Sequence, residues 1–265
     1  MNTVNCVSFF VFDCHHRMKD SFTPLIDQIW ILPMYKFMLP YYEVISRTPC
    51  RITPYVWNPD IIEAYALQEN ISPAYRAKNP KKINFLVLEP NMSIHKTAMI
   101  PLTIIEKFYR NHSQLVNQVM VFSSSEKKGF QDFVTNLDVS RDGKVKLFHR
   151  MKLMNVLDEI QKSVDFMTII VTHQLLNVLN FLHLELFDLG YPVVHNCPPY
   201  RDCGYFYSEI DINQGYNCVV EAVQKHHPQL EDYKNKGKKL IQQYDYHNPQ
   251  VIAEYKKAIQ ELGVE

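Results

Sequence analysis

THQLLNVLNFLHLELFDLGYPVVHN, residues 172–196, decides how this chain is read. The run Phe166 to Thr172 that leads into it has the length and β-branched content of a buried strand, and it ends in polar residues. A helix follows and carries a lone carboxylate, Glu185, near its end. Gly190 stops that helix, and Pro192 opens the next strand, which runs to His195. Alternating α/β folds bind ligands at the carboxyl ends of their strands. That topology puts His173, Gln174, Asn177, Asn180, Glu185, His195 and Asn196 on one rim.

Outward from this stretch the alternation continues. Ile83 to Leu88 reads as a buried strand. Thr97 to Arg110 reads as a helix with Ile100, Ile104, Ile105 and Phe108 on one face. Val116 to Phe122 is a second strand, and Ser125 caps a helix whose apolar face is Phe130, Phe133, Val134 and Leu137. Asp142-Gly143 marks a turn before the strand Val145 to Phe148, and Met154, Leu157 and Ile160 mark the next helix. Five strands alternating with helices predict an α/β fold, a Rossmann-like doubly wound parallel sheet over residues 82–225. The pattern does not fix the strand order.

The flanks differ. Residues 226–265 read as C-terminal helices, one starting near Pro228 and one at Asn248-Pro249. The second carries the stripe Ile252, Tyr255, Ile259 and Leu262, which needs a surface to cover, and the N-terminal segment is the candidate. Residues 1–57 hold predicted strands at Val7–Phe12, Gln28–Leu32 and Arg51–Trp57 and a helix around Tyr35 to Ser46. This is an incomplete α/β segment, too small for an independent two-layer domain. Residues 58–81 are polar and read as a linker.

Composition removes several function classes. Over 265 residues, 28 basic and 28 acidic side chains leave no net field, which argues against a nucleic-acid partner. Seven glycines form neither a dinucleotide fingerprint nor a Walker loop. The apolar run Cys6 to Phe12 is too short for a signal peptide or a membrane span, and six cysteines without a CxxC pair read as free thiols. Both point to the cytoplasm. Cys14-His15-His16 lacks a second ligand pair, so no metal site is expected.

A second candidate segment is EPNMSIHKT, residues 89–97. Pro90 turns the chain away from the first strand, Asn91 and Thr97 supply caps or donors, and Lys96 stands at the start of the following helix. A cation beside a helix N-terminus suits a diphosphate. A solvated lysine on a capped loop fits the same sequence. Glu185 likewise reads either as an acceptor for two ribose hydroxyls or as a surface carboxylate. The aromatic run Arg201 to Tyr207 lies just past the rim, and no Ser-His-Asp or Cys-His set can be assembled.

The stretch from Lys82 to the C-terminus resembles the donor-binding C-terminal domain of GT-B fold glycosyltransferases. FLVLEPNMSIHKTAMIPL, THQLLNVLNFLHLELFDLGYPVVHN and YRDCGYFY resemble an uncharacterised glycosyltransferase-like family of bacteria and giant viruses, as does WILPMYKFMLPYYEVISRTPCRITPYVWNPD. The resemblance implies a remnant of the N-terminal GT-B domain in residues 1–57 and transfer of a hexose from a UDP- or GDP-linked sugar. The acceptor would be an unidentified glycan or protein. No cofactor or bound metal is implied. Lys96 matches the basic residue that holds the donor diphosphate. Glu185 matches the second glutamate of the Glu-x₇-Glu motif, which binds the ribose. The first glutamate, which touches the sugar, falls at Asn177, a departure from the pattern. The shortened N-terminal part lacks the glycine loop and any acceptor-side base. A partner chain or a homodimer, a non-catalytic nucleotide-sugar-binding or assembly subunit, and an inactive remnant are the corresponding alternatives. The compartment implied is the cytoplasm, of the host if the source is viral.

Overall fold

Central strands buried on both faces read as near-continuous apolar runs, and two strands here do, interrupted inside only by Asn84 and Thr168. β4 (Lys82–Val87) is buried at every position after Lys82, and β7 (Phe166–Val171) at every position after Phe166. They pair with each other in parallel, Lys82 opposite Phe166 and Leu86 opposite Ile170. β5 (Val116–Val121) and β6 (Val145–Leu147) extend the sheet on the β4 side; β8 (Val193–His195) and β9 (Tyr205–Phe206) extend it beyond β7. The order β6-β5-β4-β7-β8-β9 is the doubly wound 3-2-1-4-5-6 order, with its switch point between β4 and β7. This is a computed structural model, and it describes residues 3–5, 26–76, 80–91, 96–123, 128–163, 165–175 and 180–263.

Helices close both faces of the sheet. Met99–His112 buries Leu102, Ile104, Ile105 and Phe108, each contributing about 1.5–3 kcal/mol by removal from water. The expected helix after Val121 is Lys128–Thr135, followed by the single turn Asp138–Arg141; Ser125 lies outside the described residues. Leu153–Gln161 buries Met154, Val156 and Leu157. Phe181–Asp188 carries Glu185 and ends as expected at Gly190, whose φ of 78° is cheap only for glycine.

The strand β9 (Tyr205–Phe206) and the helix Ile212–Lys225 of this sheet unit were not expected from the sequence. β9 is a two-residue strand inside the aromatic run, too short to give a period-2 signal. The helix Ile212–Lys225, capped by Asp211 through the Gln214 N–H at 2.9 Å, packs Cys218, Val219 and Ala222 into the core. Its first turn, INQGY, carries a glycine and two amides that masked its period.

Two compact units divide the chain, one of residues 59–241 and one formed by residues 1–58 with 242–265. The stretch 58–81, read as a linker, carries the helix Asp60–Glu69 and belongs to the larger unit. Only Ile62 of that helix is buried, which is why no apolar stripe announced it.

The smaller unit holds a three-stranded parallel sheet in the order β1 (Thr3–Asn5), β2 (Gln28–Ile31), β3 (Cys50–Ile52). The strand expected at Val7–Phe12 lies outside the described residues. The expected strand Arg51–Trp57 stops at Ile52, and Trp57 makes only an isolated bridge to Asp245. Pro54, with no N–H, cannot continue the ladder. The expected helix begins as a 3-10 turn, Pro33–Met38, and becomes α-helical over Leu39–Ser46. The terminal helix Pro249–Gln260 covers this segment. Tyr255 Oη donates to the Pro54 carbonyl at 2.8 Å and meets Trp30 edge-on at 5.7 Å, and Arg51 pairs with Glu254 and Glu261.

Candidate functional site at the sheet switch point

β4 and β7 diverge at the switch point, and the residues that follow each strand face the same crevice. Glu89 follows β4 and is only 1% exposed. Both of its oxygens accept from Gln174 Nε2, at 2.7 and 2.9 Å, and Oε1 also accepts from the His173 N–H at 3.3 Å. A carboxylate therefore ties the end of β4 to the end of β7. Burial pushes its pKa up to about 7, against the lowering effects of the nearby Lys96 charge and of its hydrogen bonds. Sequence reasoning quoted Glu89 as the start of a loop and gave it no role. The available signal was a charged residue at the carboxyl end of a largely apolar strand.

The two histidines of the β7 and β8 ends are spent on structure. His195 is fully buried, its Nδ1 accepts from the Cys197 N–H at 3.2 Å, and its Nε2 faces the Cys203 carbonyl at 2.8 Å. The carbonyl can only accept, so Nε2 carries the proton. Both ring nitrogens are occupied, and burial depresses the pKa to about 4. Gly204 makes room for this ring. It has φ of 67°, and a Cβ there would come within 2.8 Å of His195 Cδ2 and 2.9 Å of Phe187 Cε1. His173 lies 3.0 Å through Nδ1 from Tyr207 Oη, which itself donates to the Thr172 carbonyl at 2.8 Å. The single hydroxyl proton being used, the His173 Nδ1 carries its own. Burial holds His173 at a pKa of about 4.

Asn196 forms a reciprocal bond with the Gln174 backbone: Oδ1 accepts from its N–H at 2.8 Å and Nδ2 donates to its carbonyl at 2.9 Å. Nδ2 also reaches the Glu209 carbonyl at 3.4 Å. His183, which the sequence reading did not single out, is fully buried in the helix Phe181–Asp188 and contacts Thr172 Oγ1 through Nε2 at 2.9 Å. Its Nδ1 has no hydrogen-bond partner among the described residues, and burial, His195 and the Lys96 charge hold its pKa well below the usual range.

Two nominated residues brace the entry to the helix Met99–His112, and a third caps a helix. Asn91, at φ 50°, accepts from the Ala98 N–H at 2.7 Å, and Thr97 Oγ1 accepts from the Met99 N–H at 3.2 Å. Asn180 is the N-cap of Phe181–Asp188 and accepts from the Leu182 N–H at 3.2 Å. Asn177 lies outside the described residues.

Lys96 and Glu185 differ from all of these. Lys96 is partly exposed, and its charge reaches both Glu89 and His183. It stands three residues ahead of Met99, the first residue of the helix, rather than at the helix start. Glu185 is half-buried, burial raises its pKa, and no described group gives its carboxylate a hydrogen bond or an ion pair. A half-buried carboxylate without a partner is costly to keep. Among the described residues no group of three His, Cys, Asp or Glu is arranged to hold a metal ion, and no helix is long and apolar enough to cross a membrane.

The six-stranded parallel sheet and its flanking helices define a Rossmann-type unit of the kind found in GT-B glycosyltransferases. The chain belongs to the family described as "Protein of unknown function (DUF2827)", whose sequence model matches residues 5–259. No curated protein matches it by sequence. Among solved structures it is similar to the pneumococcal O-GlcNAc transferase GtfA in complex with UDP and GlcNAc, at 11% identity and a TM-score of 0.57, over 91% of this chain and 46% of that one. It is also similar to the UDP-forming α,α-trehalose-phosphate synthase of Burkholderia xenovorans, at 10% identity and a TM-score of 0.60, over 89% of this chain and 61% of that one. WaaG, a glycosyltransferase involved in lipopolysaccharide biosynthesis, matches at 12% identity and a TM-score of 0.55, over 88% of this chain and 62% of that one. At these identities the likeness is one of fold. The chain spans between 46% and 62% of the length of these three relatives.

Proposed function

We propose that the chain is a GT-B type glycosyltransferase that takes a hexose from a UDP- or GDP-linked donor, held at the switch-point crevice, and passes it to a glycan or protein acceptor in the cytoplasm. The observation that carries this reading is Glu185, a half-buried carboxylate with no partner among the described residues. Two vicinal ribose hydroxyls donating to it would satisfy it. Lys96 would lie beside the diphosphate and stabilise charge as that group departs. Asn177 would approach the sugar where the related motif has a glutamate. His173, Gln174, His195 and Asn196 support this site by fixing the crevice, and no metal takes part in the reading.

A second reading is a nucleotide-sugar-binding subunit that acts with a partner chain. A GtfA/B complex exists among the structural neighbours. The test common to both is a thermal shift of the full chain against UDP-, GDP- and TDP-sugars, for the wild type, Glu185→Ala and Lys96→Ala. A donor at a hundred times its dissociation constant adds about 2.7 kcal/mol of stability. Stabilisation by one nucleotide class, lost in Glu185→Ala, is expected; no stabilisation by any donor would sink both readings. Release of labelled sugar by the chain alone then separates transferase from subunit.

A further inference from the structure

The crevice holds a feature that anion binding alone does not require: a buried carboxylate, Glu89, within the field of the very lysine that would meet a diphosphate. We propose that Glu89 is a positioning residue of the donor site and that it takes up one proton when a nucleotide-linked diphosphate binds beside Lys96. The proposal rests on the donor-site reading above.

Two described groups donate to Glu89, and a cation lies nearby. Gln174 Nε2 meets both oxygens, the His173 backbone N–H meets one, and Lys96 supplies the nearby positive charge. These favour the ionised form, while burial opposes it, and the balance leaves Glu89 at about 7. A diphosphate arriving at Lys96 brings negative charge into the same low-dielectric crevice and neutralises the charge that helps keep Glu89 ionised. The balance then tips to the acid, and the proton comes from solvent. The other groups facing Glu89 do not titrate in the range that matters. His173 is held neutral at about 4, and the Tyr207 hydroxyl is raised well above its ordinary value by burial and by Glu89 itself. Because Glu89 is buried, it acts through Lys96 and through the Gln174 side chain it holds, not by touching the ligand.

UDP-glucose and GDP-mannose are suitable probes because their diphosphates do not titrate near neutrality. Calorimetry of the full chain in buffers of different ionisation enthalpy should show close to one proton taken up per ligand at about pH 8 and little at about pH 6. Affinity should fall roughly tenfold per pH unit above about pH 7. Glu89→Gln, neutral and nearly isosteric, should bind at alkaline pH as tightly as the wild type binds at acid pH, with a flat profile. Binding by the wild type without proton uptake, or a slope that persists in Glu89→Gln, would overturn the coupling and leave the donor site standing. If the substitution prevents folding, the wild-type proton count decides alone. Binding of neither probe overturns the donor-site reading and this proposal together.

Discussion

The floor of the switch-point crevice and its partly exposed edge are built on opposite rules. On the floor, Glu89, Gln174, His195 and Asn196 direct their polar atoms at one another or at backbone groups. At the edge, Lys96 and Glu185 carry charge with no ion pair among the described residues. Buried polar groups are tolerable when satisfied, and a satisfied network is rigid. Unpaired charges near a rigid floor are what a ligand can use, because their cost is already present in the free protein. The difference separates residues that shape the crevice from residues left open at its edge, although the sequence presents both kinds together on one rim.

The largest expected effect tests whether the floor is dry. His173 and His195 on the floor are held at about 4, His226, which faces the Gly190 carbonyl ahead of β8, at about 3, all chiefly by burial, and His183 is held well below the usual range. The unfolded chain protonates these four near the ordinary histidine value, and the folded chain does not. Their contribution is present in full above about pH 6.5 and is lost as pH falls towards about 4, at up to about 1.4 kcal/mol per pH unit for each ring. Glu89 has the opposite sign: its raised pKa favours folding below about 4.5, a contribution lost as pH rises through about 7. Glu185 and Asp188, also raised by burial, act in the same direction as Glu89, and His227, lowered by burial, acts with the four rings. Urea unfolding should therefore show a much lower midpoint at about pH 5 than at about pH 7.5. Equal midpoints would mean that the rings accept protons in the folded chain, and the floor would not be a sealed structure.

A smaller effect follows from the reciprocal bond of Asn196. Asn196→Ala leaves the N–H and the carbonyl of Gln174 buried without their partners, at a cost of about 2–3 kcal/mol. Chemical denaturation should register that loss. Asn196→Asp, which keeps the acceptor but not the donor, should fall between. Loss of nucleotide-sugar binding with full stability would move Asn196 from the floor to the ligand.

The division between floor and edge explains how much the sequence disclosed. The strands β4 and β7 were legible because strands buried on both faces are apolar almost throughout, and the helix end at Gly190 was legible because its positive φ calls for glycine. The C-terminal helix was legible too: its cap Asn248 accepts from the Gln250 N–H at 3.0 Å, and Tyr255 covers the N-terminal segment as its stripe suggested. The rim was located, but roles within it were not. Whether an asparagine caps, straps or binds depends on which backbone groups come near it, a tertiary fact with no local pattern. Glu89 was passed over for the same reason, since its partners are 84 and 85 residues away in the chain. The helix Asp60–Glu69 and the strand β9 gave no periodic signal, one for want of buried positions and one for want of length.

The smallest effect sits on the boundary between the two regions. Asn180 was a candidate for donor contact, and its side-chain oxygen caps the eight-residue helix that carries Glu185. Asn180→Ala should cost about 1 kcal/mol, the usual value of an N-cap, and Asn180→Asp or Asn180→Ser should recover most of it. If the residue acts only through the helix, donor affinity should follow stability across the three variants. In thermal melts and UDP-glucose titrations, an affinity that stays low in Asn180→Asp while the melting temperature recovers would identify the amide itself as a ligand contact. Asn180 would then join Lys96 and Glu185 at the edge.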